Sequence, residues 1–339
     1  MINPRSRLSS ILLGIGVLVL FLSAGKLQAQ YENGSVVGTI HDATGSAIPG
    51  ADVSIINTAT GIRSHVKTDA AGNYDIPQLR VGVYTITASA PGFSKAVAKN
   101  ITVSVGNVQR IDLSLKVGAT ETTVEVSDVA LQIETESSQR DQTITNYESE
   151  ALPLVNRNYT DLLALVTGVR QAPTQAATST NINSLLRQGA YNVNGQRSIF
   201  NNFLLDGMDN NAYGESNQGF DNQIISIPPD SVAQFSVVTN NESAEYGRSS
   251  GATVNVASQS GSNKFHGTLY EFLRNTDLNA AGFFRPTTIS STGAAVPFEK
   301  PATHRNQYGG NFGGPVIHNK LFFFLDYEGL RAITSPLYV

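Results

Sequence analysis

The chain is 339 residues long, too long for a disulfide-stapled miniprotein and long enough for roughly two domains at about 150 residues each. Hydrophobic residues make up 40% and charged residues only 15%, which excludes wholesale disorder, and a net charge of -4 supplies no basic field to hold nucleic acid. The absence of cysteine excludes disulfides, thiolate metal sites and thiol catalysis, and no motif calls for a cofactor.

Residues 1 to 29 carry Arg5 and Arg7, then the apolar run Ile11 to Leu22, then small and polar residues up to Ala29. That order predicts a secretory signal peptide cleaved after Ala29, since the run is well short of the roughly 20 residues a spanning helix needs. A retained N-terminal anchor is the alternative. Either one takes the rest of the chain out of the cytoplasm, and export without cysteines suggests a bacterial envelope.

From Ser35 on, short alternating runs are separated by turn signals at Asp42-Ala43-Thr44-Gly45, Ile48-Pro49-Gly50, Thr60-Gly61, Asp69-Ala70-Ala71-Gly72-Asn73 and Pro91-Gly92. The pattern predicts an antiparallel β-sandwich over residues 33–116. Its strands would be Val36 to His41, Asp52 to Asn57, Arg63 to Thr68, Gly72 to Ile76, Gly82 to Ala90 and Ile101 to Leu115, the last interrupted near Gly106-Asn107. Gly38-Thr39-Ile40, Ile48-Pro49-Gly50-Ala51-Asp52-Val53, Gly72-Asn73-Tyr74, Gly82-Val83-Tyr84 and Pro91-Gly92-Phe93 resemble the carboxypeptidase regulatory-like domain, a sandwich similar to transthyretin and to carbohydrate-binding-like folds. No peptidase is implied, because none of the five histidines has a Glu three residues later, as a zinc site of that kind requires. Asp69, Gly72 and Asn73 read as a plain turn, since a calcium loop needs acidic ligands at alternate positions.

Residues 117–142 read as a polar linker containing one strand-prone run, Thr122, Thr123, Val124, Glu125 and Val126. An exposed run of this kind is suited to add itself to the edge of a partner's sheet; a simple tether between domains is the competing reading.

Residues 143–262 mix helices and strands in the manner of a compact α/β domain. Asn146 to Leu152 reads as a short helix, and Asn158 to Val166 as a second with Leu162, Leu163, Leu165 and Val166 on its apolar face. Gln171 to Ser184 reads as a loop. Ala190 to Val193 reads as a strand before an Asn194-Gly195 turn, then come strands at Asn202 to Asp206, Gln234 to Thr239 and Ala252 to Ala257, with a helical turn at Pro229 to Ala233. Leu152-Pro153-Leu154-Val155-Asn156-Arg157-Asn158, Val193-Asn194-Gly195-Gln196-Arg197, Asn201-Asn202-Phe203-Leu204-Leu205-Asp206-Gly207 and Ala244-Glu245-Tyr246-Gly247-Arg248-Ser249-Ser250-Gly251 resemble the plug of TonB-dependent outer-membrane receptors, in particular the Oar-like group with an N-terminal carboxypeptidase regulatory-like domain. Asn194, Gly195, Asp206, Gly207, Tyr246, Gly247 and Gly251 are then structural plug positions, with Gly247 and Gly251 letting the chain turn tightly against a surrounding wall. Ser250 departs from the second Gly of many plugs. Gly247 to Gly251 also satisfies G-x-S-x-G, but the alternating run Ala252 to Val256 follows where a nucleophile elbow needs a helix, and no enzyme is expected.

Residues 263–339 shift to aromatics, Gly and Asn. Strands are expected at Lys264 to Arg274, Gln307 to Gly313 and Lys320 to Leu330, the last with Leu321, Phe323, Leu325 and Tyr327 on one face, while on the other Phe322 and Phe324 give way to Asp326 and Glu328. Asn263-Lys264-Phe265-His266-Gly267, Phe272-Leu273-Arg274-Asn275, Arg305-Asn306-Gln307-Tyr308-Gly309-Gly310 and Phe322-Phe323-Phe324-Leu325-Asp326-Tyr327-Glu328-Gly329 continue the resemblance into the start of an outer-membrane barrel. The family barrel has about 22 strands, and the 78 residues after Gly261 make only its first few, so the sequence reads as a receptor fragment or a truncated product. The expected fold is thus mainly β with an α+β part: a sandwich, an α/β plug and the first strands of an incomplete barrel. The resemblance implies energy-coupled uptake of a bulky ligand, carbohydrate or peptide, with TonB and outer-membrane lipid as partners and Thr122 to Val126 as the TonB-contact peptide. The competing class is an envelope carbohydrate-binding or adhesion protein. The Asn-rich stretch Asp209 to Asn222 reads as a solvated loop.

Overall fold

The computed structural model describes residues 34–118, 123–126, 136–152, 154, 157–171, 191–212, 223–280, 288–289, 295–296, 300 and 302–334. The leader at residues 1–29 and the loop at residues 172–184 lie outside them.

The first domain is a two-sheet sandwich built from β1 (Gly34–Asp42), β2 (Asp52–Asn57), β3 (Arg63–Lys67), β4 (Asn73–Leu79), β5 (Gly82–Ser89), β6 (Lys95–Val103), β7 (Val108–Arg110) and β8 (Leu113–Leu115). Alternate residues of β1, β2 and β5 point inward, so Val36, Ile40, Val53, Ile55, Tyr84, Ile86 and Ala88 share one core with Ile101, Leu113 and Leu115. Burying each large aliphatic chain stabilises by about 1.5–3 kcal/mol. The Tyr74 ring lies in the same core and its hydroxyl donates to the Ile111 carbonyl at 2.6 Å. Gly38 is required beside it, because a Cβ there would collide with the Ile111 backbone.

The Ile101 to Leu115 strand is interrupted as expected, the chain turning through Gly106 with φ of 70°, but it starts earlier and changes sheet: β6 spans Lys95–Val103, and β7 and β8 join the opposite sheet. Because that passage is a crossover, β7 and β8 pair with β1 in parallel, and the sandwich is mixed where an antiparallel one was expected. The run at Thr123–Val126 forms β9, which pairs in parallel with β6 and closes the five-stranded order β3-β2-β5-β6-β9. It is docked, not free; Thr122 lies outside the described residues.

The middle domain starts within the stretch read as linker. β10 (Arg140–Thr145) pairs along its length with β15 (Val232–Asn240), which takes residues 140–142 into the sheet. Between them lie α1 (Asn146–Ala151), a 3₁₀ helix at Tyr159–Leu165, β11 (Val169–Gln171), β12 (Tyr191–Val193), β13 (Asn202–Leu205), β14 (Met208–Asp209) and a 3₁₀ turn at Pro229–Ser231. β16 (Thr253–Ser258) completes the sheet order β10-β15-β16-β13-β14. Thr145 caps α1 through a reciprocal capping box with Glu148. Tyr159, Leu162, Leu163 and Val166 have the i, i+3, i+4, i+7 spacing and enter the core with Phe203, Phe235 and Val254. Leu165 lies off that stripe and is exposed, contrary to expectation.

The last region is an open antiparallel sheet of β17 (His266–Asn275), β20 (Thr303–Ile317) and β21 (Leu321–Thr334), with a small ladder of β18 (Thr288–Ile289) and β19 (Ala295–Val296) between the first two. At 15 and 14 residues, β20 and β21 are long enough to cross a hydrocarbon core of about 30 Å even when tilted.

Candidate functional site between the middle domain and the wall strands

The three long strands have two unlike faces. Leu269, Leu273, Tyr308, Phe312, Leu325 and Tyr327 are exposed, Leu269 at 91% and Leu325 at 67%. On the opposite face Gln307 is buried, donating to the Glu328 carboxylate at 2.8 Å, while the Tyr270 hydroxyl donates to the same carboxylate at 3.1 Å. The register pairs Gly309 with both Tyr270 and Glu328, so these groups cross one row of the sheet. Apolar out and polar in is the signature of a barrel wall.

The middle domain meets the polar face. Arg157, held at φ of 54°, sends its guanidinium to the Asp230 carboxylate in a pair whose side chains are only 9% and 7% exposed. The same guanidinium covers the Phe272 ring, 3.8 Å from its centroid, and lies 5.2 Å from that of Tyr270. Asn311 of β20 donates to the Asp230 carbonyl at 3.0 Å. Burial pushes the Asp230 carboxyl up; Arg157 pulls it down, and Glu150 and Asp326 add to the rise. One arginine thus joins the domain's own acid to the aromatic and acidic side of the wall. Sequence reading quoted Arg157 inside a motif without giving it this role and missed Asp230 and Asn311. Alternation in β21 put Glu328 on the face opposite Leu325 and Tyr327 but did not tie it to Tyr270 and Gln307.

Residues 35–116 match the family model of a carboxypeptidase regulatory-like domain, residues 134–254 that of a TonB-dependent receptor plug domain, and residues 257–339 that of an outer membrane beta barrel domain. The chain carries the domains of a TonB-dependent outer-membrane receptor. These domains place it in the bacterial outer membrane. It is similar to the TonB-dependent transporter Oar of Myxococcus xanthus, 26% identical over 310 residues, or 86% of this chain; it spans about a quarter, 26%, of that relative's length. Among solved structures it is similar to the siderophore receptor PirA from Acinetobacter baumannii, 20% identical with a TM-score of 0.39, covering 57% of this chain and 24% of that one. It is also similar to the outer membrane transporter YddB from Escherichia coli, 20% identical with a TM-score of 0.37, covering 51% and 24%.

The plug motif residues mostly fasten the plug to itself. Asn194 and Gly195 both have positive φ, as a tight primed turn requires, and Asn194 Nδ2 donates to the Thr239 carbonyl at 3.0 Å, tying the β11–β12 pair to the end of β15. Asp206 and Gly207 form the corresponding turn between β13 and β14, with the Asp206 carboxylate accepting from the Ser258 amide at 2.9 Å and its hydroxyl at 2.7 Å. Gly247 has open space around it and no positive φ; the left-handed residue of that bend is Arg248, whose guanidinium pairs with Asp209 at 3.1 Å. Gly251 packs under Asn201 and Phe200, inside the plug. The expectation that Gly251 turns against the wall is therefore corrected. Ser250 does not have positive φ, so that bend accepts a side chain. Tyr246 is half-buried, close to the Gly106 turn of the sandwich.

The G-x-S-x-G pattern has no elbow geometry. Ser249 Oγ donates to the backbone carbonyls of Phe200 at 3.0 Å and Ala252 at 3.2 Å, and β16 follows it, not a helix. Asn210 and Asn211 are buried and not solvated as expected: Asn210 exchanges two bonds of 2.8 Å with the Ile225 backbone, and Asn211 Nδ2 donates to Asn202 Oδ1 at 2.7 Å. Residues 213–222 of that stretch lie outside the described residues.

Proposed function

We propose that the chain works in energy-coupled uptake of a bulky ligand, with the plug closing the lumen until TonB, engaging Thr122 to Val126, displaces it. No step of this is enzymatic. One observation carries the reading: the Arg157–Asp230 pair seats the plug on the polar face of the wall strands, the face away from the exposed Leu269, Leu325 and Tyr327. A plug on the polar side of a wall whose other face is apolar and exposed supports the reading of a stopper in a lumen. The relative's printed name, TonB-dependent transporter, supports the partner.

The test is binding of a soluble periplasmic TonB domain to the receptor with its barrel complete. Deleting residues 122–126 should abolish binding while the receptor still reaches the outer membrane. Undiminished binding rejects the peptide as the contact.

A further inference from the structure

The sandwich touches both the wall and the plug, and the two contacts are chemically unlike. At the wall, its β2–β3 turn meets the turn between β20 and β21 through Asn263, which lies in the link from β16 to β17. Asn263 donates from its backbone N–H to the Ala59 carbonyl at 3.0 Å and from Nδ2 to the Thr60 carbonyl at 2.8 Å. It is itself tied to the wall turn, donating from Nδ2 to Asn319 Oδ1 at 2.7 Å and accepting at Oδ1 from the Asn319 N–H at 2.9 Å. Gly61 has to be bare here, because a Cβ would overlap the Asn319 carboxamide.

At the plug, the sandwich presents the turn that follows β6. A side chain at Gly106 would come within 3.6 Å of the Asn255 amide nitrogen and 3.7 Å of the Tyr246 hydroxyl, so this turn lies on the outer face of β16. Val105 beside it is fully buried yet no member of the sandwich core, so what covers it lies outside that core. Asn255 is 1% exposed and stands opposite Ser236, on the side of the sheet away from Val254, Val256 and the plug core. Neither of its amide atoms has a hydrogen-bond partner.

We infer that the sandwich belongs mechanically to the wall: when the plug moves, the seam between the Gly106 turn and Asn255 opens, and the clasp at Asn263 and Asn319 holds. This rests on the reading of the plug as a stopper that is displaced, and adds which contact it leaves. Parting the clasp breaks hydrogen bonds that are made, whereas parting the seam admits water to a buried amide that has none, so the seam yields first. The sandwich then stays at the β20–β21 end of the wall as a fixed abutment past which the plug travels.

The chain has no cysteine, so engineered pairs report on each contact alone. In the receptor with its barrel complete, Gly61→Cys with Asn319→Cys should close as a disulfide on oxidation and lock the sandwich to the wall. Gly106→Cys with Asn255→Cys should be joined by a short bifunctional thiol reagent and lock it to the plug. Closure is scored by loss of thiol labelling. The plug is then pulled from the membrane-embedded receptor by single-molecule force spectroscopy, through a biotin acceptor peptide inserted between Ser137 and Ser138. The wall lock should leave the extraction force unchanged and the plug lock should raise it at least twofold, each against its own unjoined variant, which controls for side chains at the two glycines. A rise with the wall lock, or none with the plug lock, overturns the inference, because the sandwich then leaves the wall with the plug. Failure of either pair to close overturns it too, because the contact it reports is then absent. The stopper reading is tested apart: a receptor lacking residues 143–262 should conduct in a planar bilayer, and a closed one rejects that reading whatever the locks do.

Discussion

In the sandwich, carboxylates sit at turns and edges where hydrogen bonds hold them ionised. Asp42 is held low by Thr44 and Ser46, Asp69 by Asn73 and Ala71, and Asp112, though burial opposes it, by Arg110 and Thr39. In the plug, Asp141, Asp161, Asp230 and Glu242 are withdrawn from water, and burial pushes each of them up. The Thr253 hydroxyl is near enough to temper the rise at Glu242 but makes no hydrogen bond of its own. Neutral groups follow the same division. Asn255 is buried with neither amide atom paired, as are the Gln234 amide nitrogen and the Ser231 hydroxyl; among the described residues no sandwich side chain is in that state. The sandwich is a finished apolar core. The plug is a polar-lined body held by directional contacts, and a buried amide left unpaired costs its fold about 1–3 kcal/mol.

The largest expected effect is at the seat. Arg157→Ala strands the Asp230 carboxylate near Glu150 and Asp326, and breaking one side of a buried pair costs about 3–5 kcal/mol. The plug's urea transition should move down accordingly, and adding Asp230→Asn should recover part of the loss. An unchanged transition in Arg157→Ala would erase the contrast between the domains. In the sandwich, Ile86→Ala removes a fully buried side chain and should cost about 2–5 kcal/mol, with the plug transition unmoved if the sandwich core is self-sufficient.

Turns sharpen the comparison at smaller scale. Asp206→Ala removes the acceptor of two bonds from Ser258 and should cost the plug about 1.5–3 kcal/mol. Asp69→Ala removes comparable bonds to Ala71 and Asn73, but at an exposed turn where water replaces them, and should cost the sandwich well under that. Paired denaturation curves for the two variants read the difference directly.

The first five sandwich strands were legible to within a few residues, Asp52–Asn57 to the residue, because alternation records which residues are buried, whereas β6 was not read before Ile101. Alternation made the barrel faces legible too: Leu321, Phe323, Leu325 and Tyr327 take one face, and on the other Phe322 and Phe324 give way to Asp326 and Glu328. What escaped was pairing at a distance. Nothing in Thr123–Val126 names β6 as its neighbour, and Arg157 and Asp230 are 73 positions apart, so neither motif carries the other. The buried asparagines escaped for a related reason. Asn210 and Asn211 have loop composition, and only the nearby chain at Asn202 and Ile225 turns them into internal fasteners.

The smallest effect is also the one that sets the domains against each other. A carboxyl lowered on folding contributes stability that is present above its ordinary value of about 4 and is lost as pH falls through the lowered one. Asp42, Asp69 and Asp112 therefore make the sandwich weaker on acidification below about pH 4. A carboxyl raised on folding takes up its proton in the native state first, so stability grows as pH falls from neutral through the raised value and stops growing once the unfolded chain is protonated as well, near pH 4. Asp141, Asp161 and Glu242 place the plug in that class. Between neutral pH and about pH 4 the plug transition should rise while the sandwich transition holds, and only below that should the sandwich fall. Urea midpoints of the two transitions across that range decide it: parallel curves would mean that the buried plug carboxyls are reached by water, and the polar interior would then be an ordinary hydrated surface.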